Sequence, residues 1–299
     1  MPFFDNNVMK IGIFGKKYDE AHTCHLQLLV ATLEEKGVDI IVPESYYALI
    51  DSCIQFTRKP YVVEGDYLRR NDVDYLFSIG GDGTLLASVR LVAEVGIPVL
   101  GLNFGHLGFL TTVTPSDIQE FVDMFLQQQY TIETHSLMHV EVVQGGASNH
   151  SYVMNEVAIH RHNNSSMLYT NVYINDEILA TYNGDGLIVA TPTGSTAYSL
   201  SCGGPVLAPS SQCFVITPVA VHNLTLRPIV VPDTSRIRLV TANAAEMYLG
   251  RDSNSSLMSG QCEIILSKED FSAKLIRMKN KSFYSAIREK LMWGASFNA

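Results

Sequence analysis

Runs of charge and long apolar stretches are what this sequence has least of, and each absence removes a class of function. Charged residues make up 17% of the 299-residue chain and the net charge is −9, with no run of Lys or Arg. No surface is therefore set out to hold a nucleic-acid backbone or an anionic membrane, and a small-molecule substrate fits better. Nowhere do about 18 apolar residues run together, and the opening MPFFDNNVMKIGIFGKK lacks a basic region followed by an apolar stretch of signal-peptide length. The protein is expected to be soluble, unexported and cytoplasmic. Its five cysteines, Cys24, Cys53, Cys202, Cys213 and Cys262, are widely spaced and include no C-x-x-C pair, which suits reduced thiols in a reducing compartment. HTCH (His22, Cys24, His25) and HSLMH (His135, His139) each lack a second ligand pair at a useful distance in sequence, so no zinc site is expected.

There is also no internal repeat and no Pro, Gly or Ser tract long enough to be a linker. Domain boundaries have to be read from periodicity instead. Residues 1–112 alternate strand and helix. VMKIGIFG, VDIIVP, DYLFSIG and IPVLGLN are short continuous apolar runs, as expected of parallel strands covered on both faces. Between them Leu26, Leu29, Val30 and Leu33 recur at helical spacing up to Gly37, and TLLASVRLVAEVG forms a second helix. TVTPSDIQEFVDMFLQQQ follows as a helix with Thr114 as cap and Pro115 in its first position. From Tyr130 onward short strands such as HVEVVQ, SYVMNEVAIH, LYTNVYI, EILATY, GLIVATP and CFVITPVA are separated by turns, with Asn175-Asp176 as a tight hairpin. This pattern places an α/β domain at 1–112 and an antiparallel β domain at 113–280, with a helix over 281–293 packing back on the first.

The motif that carries chemistry is SIGGDGTLLASV, residues 78–89. Its glycines lie at the carboxyl end of a strand and just before a helix, where backbone amides and the positive helix end can hold phosphate oxygens. There is no G-x-x-x-x-G-K-[ST], and Leu86 stands where the third glycine of G-x-G-x-x-G would be, so neither a P-loop ATPase nor a standard dinucleotide dehydrogenase is indicated. Asp82 does not belong in a purely phosphate-holding loop, because it would repel the ligand by about 1 kcal/mol or more at contact. Its partner is either a hydroxyl to be phosphorylated or a metal ion carried by a nucleotide. The competing account is a tight turn whose Asp82 only caps the helix.

GGDGT is shared in outline by phosphofructokinases, diacylglycerol and sphingosine kinases, and NAD kinases. Three more stretches, GLNFGHLGFL (101–110), NEVAIHR (155–161) and above all GDGLIVATPTGSTAYSLSCGGPV (184–206), resemble the NAD kinases in order and spacing, and HNLTLRPIVVP (222–232) agrees. The resemblance covers residues 10–290 or so. It implies a Rossmann-like N-terminal domain, a β-sandwich C-terminal domain, and transfer of the γ-phosphoryl group of ATP to the adenosine 2′-hydroxyl of NAD, giving NADP and ADP. It implies Mg²⁺ or another divalent cation arriving with ATP rather than in a protein cage, and a homodimer or homotetramer with sites near subunit contacts. A lipid or sugar kinase of the wider GGDGT group, and a non-catalytic NAD(P)-binding sensor, are the alternatives.

By the same resemblance Asp82 is the general base and, with Gly83, faces NAD, while Gly80, Gly81 and Thr84 face the ATP phosphates. The amide and acid of Asn155 and Glu156 take the adenosine half of NAD; in a strand, two successive polar residues put at least one toward the buried side, where it needs a partner. Asp185 contacts the ribose or nicotinamide, and Asn183 stands at a polar contact position. Thr196, Ala197, Tyr198, Ser199, Leu200 and Ser201 line NAD, with the Tyr198 ring available for stacking. From the residues alone this segment reads as a loop entering a helix capped by Thr193 or Ser195, and TGSTA lacks the G-x-S-x-G elbow of a hydrolase. Phe109 packs in the core or lines the NAD pocket. Ala220 contributes its backbone, Asn254 replaces a family Gln with a shorter amide, and Arg161 either meets a phosphate or lies in a solvated loop.

Overall fold

The computed structural model describes residues 8–64, 68, 73–105, 108–111, 118–162, 167–241, 246–279 and 281–294. The expected cap Thr114 and Pro115 lie outside these described residues. The chain divides into two units, Met1–Thr134 with Ala273–Ala299, and His135–Ser272.

The first unit contains β1 (Lys10–Phe14), α1 (Thr23–Glu35), β2 (Asp39–Pro43), α2 (Glu44–Ile50), β3 (Tyr61–Val63), β4 (Tyr75–Ile79), α3 (Asp82–Val92), β5 (Val99–Leu102), α4 (Ile118–Leu126) and the start of β6 (Tyr130–Gln144). Its parallel sheet runs in the order β3-β2-β1-β4-β5. The strands are apolar on both faces because helices cover both, and Ile11, Ile13, Phe77 and Leu100 are at most 1% exposed. The order reverses between β1 and β4, so the chain leaves these neighbouring strands toward opposite faces and opens a crevice beyond their carboxyl ends. The residues placed there are Gly15–Tyr18 after β1 and the glycine loop after β4. α4 presents Ile118, Phe121, Val122 and Phe125 to the same core as Phe77. The first unit therefore continues to residue 134, past the boundary expected at 112, because the apolar stripe of α4 is buried against this sheet.

The second unit contains the rest of β6, then β7 (Ala147–Val153), β8 (Glu156–Arg161), β9 (Leu168–Ile174), β10 (Glu177–Gly184), β11 (Gly186–Ala190), the short helix α5 (Tyr198–Ser201), β12 (Cys213–Val219), β13 (Ile229–Pro232), β14 (Ile237–Thr241), β15 (Met247–Arg251), β16 (Asn254–Met258) and most of β17 (Glu263–Met278). The last residues of β17, where Leu275 pairs in parallel with Val99, and α6 (Phe283–Leu291) belong to the first unit. Two antiparallel sheets form a sandwich, one ordered β10-β9-β14-β17-β6-β7 and the other β13-β12-β11-β8-β15-β16. Inward residues of both, among them Met138, Val140, Val157, Ile159, Val172, Val189, Ile216 and Leu239, fill one core. The Asn175-Asp176 hairpin has φ of 50° and 69°, the two positive values a two-residue turn between right-twisted strands needs. All five cysteines are free, and no helix among the described residues is long and apolar enough to cross a membrane.

Candidate functional site

The crevice of the first unit holds a cavity of about 440 Å³ lined by Lys16, Lys17 and Tyr18 after β1, by Gly80, Gly81, Gly83 and Thr84, and by Asn103 and Phe104 after β5. The structure thus brings the four loop residues together with two lysines that the motif reading did not pick out. The signal for them was positional: they follow the strand next to β4 at the reversal of strand order. Phosphate oxygens in this cavity would meet loop amides, the N-terminus of α3 and the lysine ammonium groups.

Asp82 does not cap α3. Gly81 is the N-cap, with no side-chain cap hydrogen bond, and Asp82 is the first helical residue. Its carboxylate turns to the segment after β5, where Oδ2 accepts from the Phe109 amide at 3.0 Å and Oδ1 from the Leu110 amide and the Thr111 hydroxyl, both at 3.3 Å. Thr111 Oγ1 in turn accepts from the Gly108 amide at 3.0 Å. The approach is so close that a Cβ on Gly108 would stand 1.9 Å from Asp82 Oδ1, so residues 108–111 are tied to GGDGT through one carboxylate. Phe109 is half-buried, and Lys290 Nζ of α6 lies 4.7 Å from its ring centroid, a cation–π contact that keeps the ring at the surface of the unit.

In the second unit, SYVMNEVAIH is not one strand. β7 ends at Val153, β8 begins at Glu156, and Met154–Asn155 form a bend between them. Asp252 explains the break: its carboxylate accepts from the amides of Met154 (2.9 Å), Asn155 (2.8 Å) and Glu156 (3.2 Å), so three successive donors are taken out of ladder pairing. Asn155 is 9% exposed and its Oδ1 has no partner among the described residues; nor has Glu156 Oε2. The Glu156 carboxyl is pushed up to about 7, by burial first and then by the charge of Asp252, against a backbone hydrogen bond from Tyr198. Unfilled buried acceptors of this kind mark a place for a ligand.

The TPTGSTAYS segment lies over the outer face of β8 and β11. Gly194 permits it, since a Cβ there would fall 2.1 Å from the Asn155 carbonyl oxygen. Neither Thr193 nor Ser195 caps a helix. Thr193 Oγ1 bonds His135 Nδ1 at 2.8 Å, and the Ser195 hydroxyl donates to the Pro192 carbonyl at 2.7 Å while accepting from the Leu207 amide at 2.9 Å. The hydroxyls of this run thus tie the loop to β6 through Thr193 and fold it on itself through Ser195. Ser199 is buried and bonded to Thr217 at 2.8 Å, so of the residues expected at NAD, Thr196, Ala197, Tyr198, Leu200 and Ser201 keep exposed surface and the Ser199 side chain does not. The Tyr198 ring, 39% exposed, packs 5.2 Å from His160, whose pKa burial lowers against the opposing pull of Asp185.

Asp185 pairs with Arg161 at 2.8 Å, which gives Arg161 a carboxylate partner rather than a free loop position. Asn183 is half-buried with its carbonyl bonded to the His222 amide, and Ala220 is exposed with φ of 45°. Asn254 is exposed opposite Arg251 at the start of β16. The residue of that turn that reaches the Asn-Glu bend is Asp252, which sequence reasoning missed. Its signal was an acid between two strands in the RDSN turn, and its φ of 51° confirms a special turn position.

Two family models match the chain in order: the ATP-NAD kinase N-terminal domain over residues 11–130 and the ATP-NAD kinase C-terminal domain over residues 154–278. An NAD kinase of Bacteroides fragilis is 38% identical over 290 residues, covering 96% of this chain and 99% of its own. An NAD kinase of Flavobacterium psychrophilum is 36% identical over 291 residues, covering 96% and 98%. Among solved structures, yeast NADH kinase complexed with NADH has the same fold, with a TM-score of 0.87 at 24% identity over 98% of this chain and 90% of its own. Both halves are matched in order, and more than a third of residues are identical over nearly the full length of curated relatives; the chain belongs to the NAD kinase family.

Proposed function

We propose that this protein transfers the γ-phosphoryl group of ATP to the adenosine 2′-hydroxyl of NAD, giving NADP and ADP, as a cytoplasmic homodimer or homotetramer. The observation that carries the reading is the pair of buried polar atoms without partners, Asn155 Oδ1 and Glu156 Oε2, beside the exposed ring of Tyr198. An acceptor pair next to an aromatic face suits the exocyclic amine, hydroxyls and π-face of an adenosine.

Phosphoryl transfer has a loose transition state, so the protein's work is alignment and charge neutralisation. Gly80, Gly81 and Thr84 hold the ATP phosphates, with Lys16 and Lys17 supplying positive charge from β1. Among the described residues no three His, Cys, Asp or Glu side chains converge as a metal cage, and the amides, hydroxyl and lysines of the cavity fit phosphates that bring their own ion. Mg²⁺ arriving on ATP neutralises charge on the transferring group. Gly83, with nothing within 4 Å of its missing Cβ, lets NAD approach. Asp82 accepts a hydrogen bond from the 2′-hydroxyl and takes its proton late; the Phe109, Leu110 and Thr111 donors fix the carboxylate for that role. Thr196, Ala197, Tyr198 and Ser201 line NAD, with Asn183, Asp185 and Ala220 at its far half.

The test is direct. Purified protein given ATP, Mg²⁺ and NAD produces NADP, read by an NADP-specific dehydrogenase. Absence of product from folded protein would refute the reading, and a screen of lipid and sugar acceptors would then identify the hydroxyl phosphorylated instead.

Glu156 adds a pH signature. With its carboxyl titrating at about 7, ligand binding that uses the carboxylate strengthens as pH rises through that value. The KM for NAD should be roughly tenfold higher at pH 6 than at pH 8, and Glu156→Gln should flatten the profile. Stability of the free protein runs the other way. The folded pKa lies above the ordinary carboxyl value of 4.5, so the contribution is fully present below about 4.5 and is lost as pH rises through about 7. KM and unfolding free energy should therefore both fall as pH rises toward and through about 7, NAD affinity gaining while stability is lost, and Glu156→Gln should remove both slopes; a KM that rises over this window, or a stability that rises, would contradict it.

A further inference from the structure

β6 and β7 form a hairpin of the second unit in which Glu141 stands opposite His150. Met138, Val140 and Val142 point into the sandwich core, so His139 and Glu141 point away from it and share their face with Ser148 and His150. These side chains, with Glu269 of β17, form one hydrogen-bonded chain. His139 Nδ1 is 2.9 Å from Glu269 Oε2, His139 Nε2 is 3.2 Å from His150 Nδ1, His150 Nε2 is 3.2 Å from Ser148 Oγ, and Ser148 Oγ is 2.9 Å from Glu141 Oε1.

The proton count along this chain has a consequence. A carboxylate only accepts, so His139 carries its proton on Nδ1 and donates it to Glu269. Ser148 has one proton, which goes to the Glu141 carboxylate, so the serine oxygen accepts from His150 and that ring is protonated on Nε2. In two neutral imidazoles the remaining nitrogens, His139 Nε2 and His150 Nδ1, then both present lone pairs to each other across 3.2 Å. Two acceptors at that distance repel, and only a cation between them makes the arrangement favourable. The far N–H of each ring is bonded to a carboxylate, directly or through serine, which is how metal-ligating histidines are oriented and made more basic. With metal–nitrogen bonds of about 2.0–2.1 Å, nitrogens 3.2 Å apart subtend roughly 100° at the metal, close to tetrahedral.

We infer that His139 Nε2 and His150 Nδ1 form a two-histidine site for a borderline divalent transition metal such as Zn²⁺, Cu²⁺ or Ni²⁺. His139 is 31% exposed and His150 more so, so water completes the coordination and the site is open and exchangeable. Imidazole ligands select such ions over Mg²⁺, which takes oxygen, so the site is chemically distinct from the ion that travels with ATP. Sequence spacing could not show it, because the ligands come from adjacent strands of a hairpin rather than from a short ligand motif.

The experiment is equilibrium dialysis of the full chain against Zn²⁺ with millimolar Mg²⁺ present throughout. Wild type is compared with His139→Ala, His150→Ala and Glu269→Gln, and the difference cancels zinc taken up by cysteines and other histidines. Wild type should hold one more zinc per chain than either alanine variant. Glu269→Gln should keep that zinc with affinity reduced about tenfold or more. Cu²⁺-loaded wild type should show electron paramagnetic splitting from two ring nitrogens, and each alanine variant from one at most. His150 is exposed, so His150→Ala folds, and unchanged NADP formation confirms it. Equal zinc uptake by wild type and both folded alanine variants would overturn the assignment, leaving a proton shared by the two rings as the cation.

Discussion

Asp82→Asn lowers the turnover of NADP formation by about 10²–10⁴-fold, the range a positioned general base contributes. The substitution is nearly isosteric but reverses the chemistry of one side-chain atom. Asp82 has donors on both oxygens, Phe109 on Oδ2 and Leu110 with Thr111 on Oδ1, so whichever way the amide is turned, its NH₂ group faces an N–H or O–H. A donor set against a donor pushes the 108–111 segment away, so the variant loses the base and disturbs the turn carrying Phe109. The two effects separate with Thr111→Val, which removes one donor and keeps the carboxylate. If Asp82 acts as a base, Thr111→Val changes kcat less than about tenfold while Asp82→Asn changes it by orders of magnitude. Equal losses in the two variants would mean that Asp82 is only the anchor of the turn. Retention of a tenth or more of activity by folded Asp82→Asn protein would remove the base assignment altogether.

The parts of this protein legible in the sequence are those where local pattern and tertiary environment agree. Continuous apolar runs gave the parallel strands because both faces of β1, β4 and β5 are covered, and Asn175-Asp176 gave its hairpin because its backbone demand is local. Misread segments are those decided by a distant partner. α4 looked like the opening of the second domain, yet Phe121 and Phe125 bury against Phe77. SYVMNEVAIH reads as one strand until Asp252, nearly a hundred residues on, takes its central amides. The candidate site divides the same way. Glycines, Asp82 and the Asn-Glu pair are visible as residue types out of place, whereas Lys16, Lys17 and Asp252 are ordinary residue types that only the fold brings to the cavity and to the Asn-Glu bend. Ser199 shows the converse: it sits inside the most recognisable segment and spends its hydroxyl on Thr217.

Asp252→Ala should be the most destabilising single change in the second unit's site, by about 3 kcal/mol, with the KM for NAD raised at least tenfold. Hydrogen bonds to a charged group contribute about 1.5–3 kcal/mol each, and leaving a buried donor unmade costs about 1–3 kcal/mol. Three amides lose their acceptor at once, but the losses are not additive, because a released bend can turn part of its backbone toward water. One term opposes the loss. Asp252 is the second cause, after burial, of the raised pKa of Glu156, so its removal relieves a repulsion and lets Glu156 ionise at lower pH. The variant therefore lowers two separate quantities. Its denaturation midpoint falls, and the pH at which NAD affinity rises shifts down from about 7. Asp252→Asn, which keeps one acceptor oxygen and loses the charge, should show the full shift in the pH profile with a smaller loss of stability. An unchanged midpoint and an unchanged KM in Asp252→Ala would show that the bend at Met154–Asn155 holds without this carboxylate. A fall in stability with no shift of the pH profile would assign the titration near 7 to a group other than Glu156.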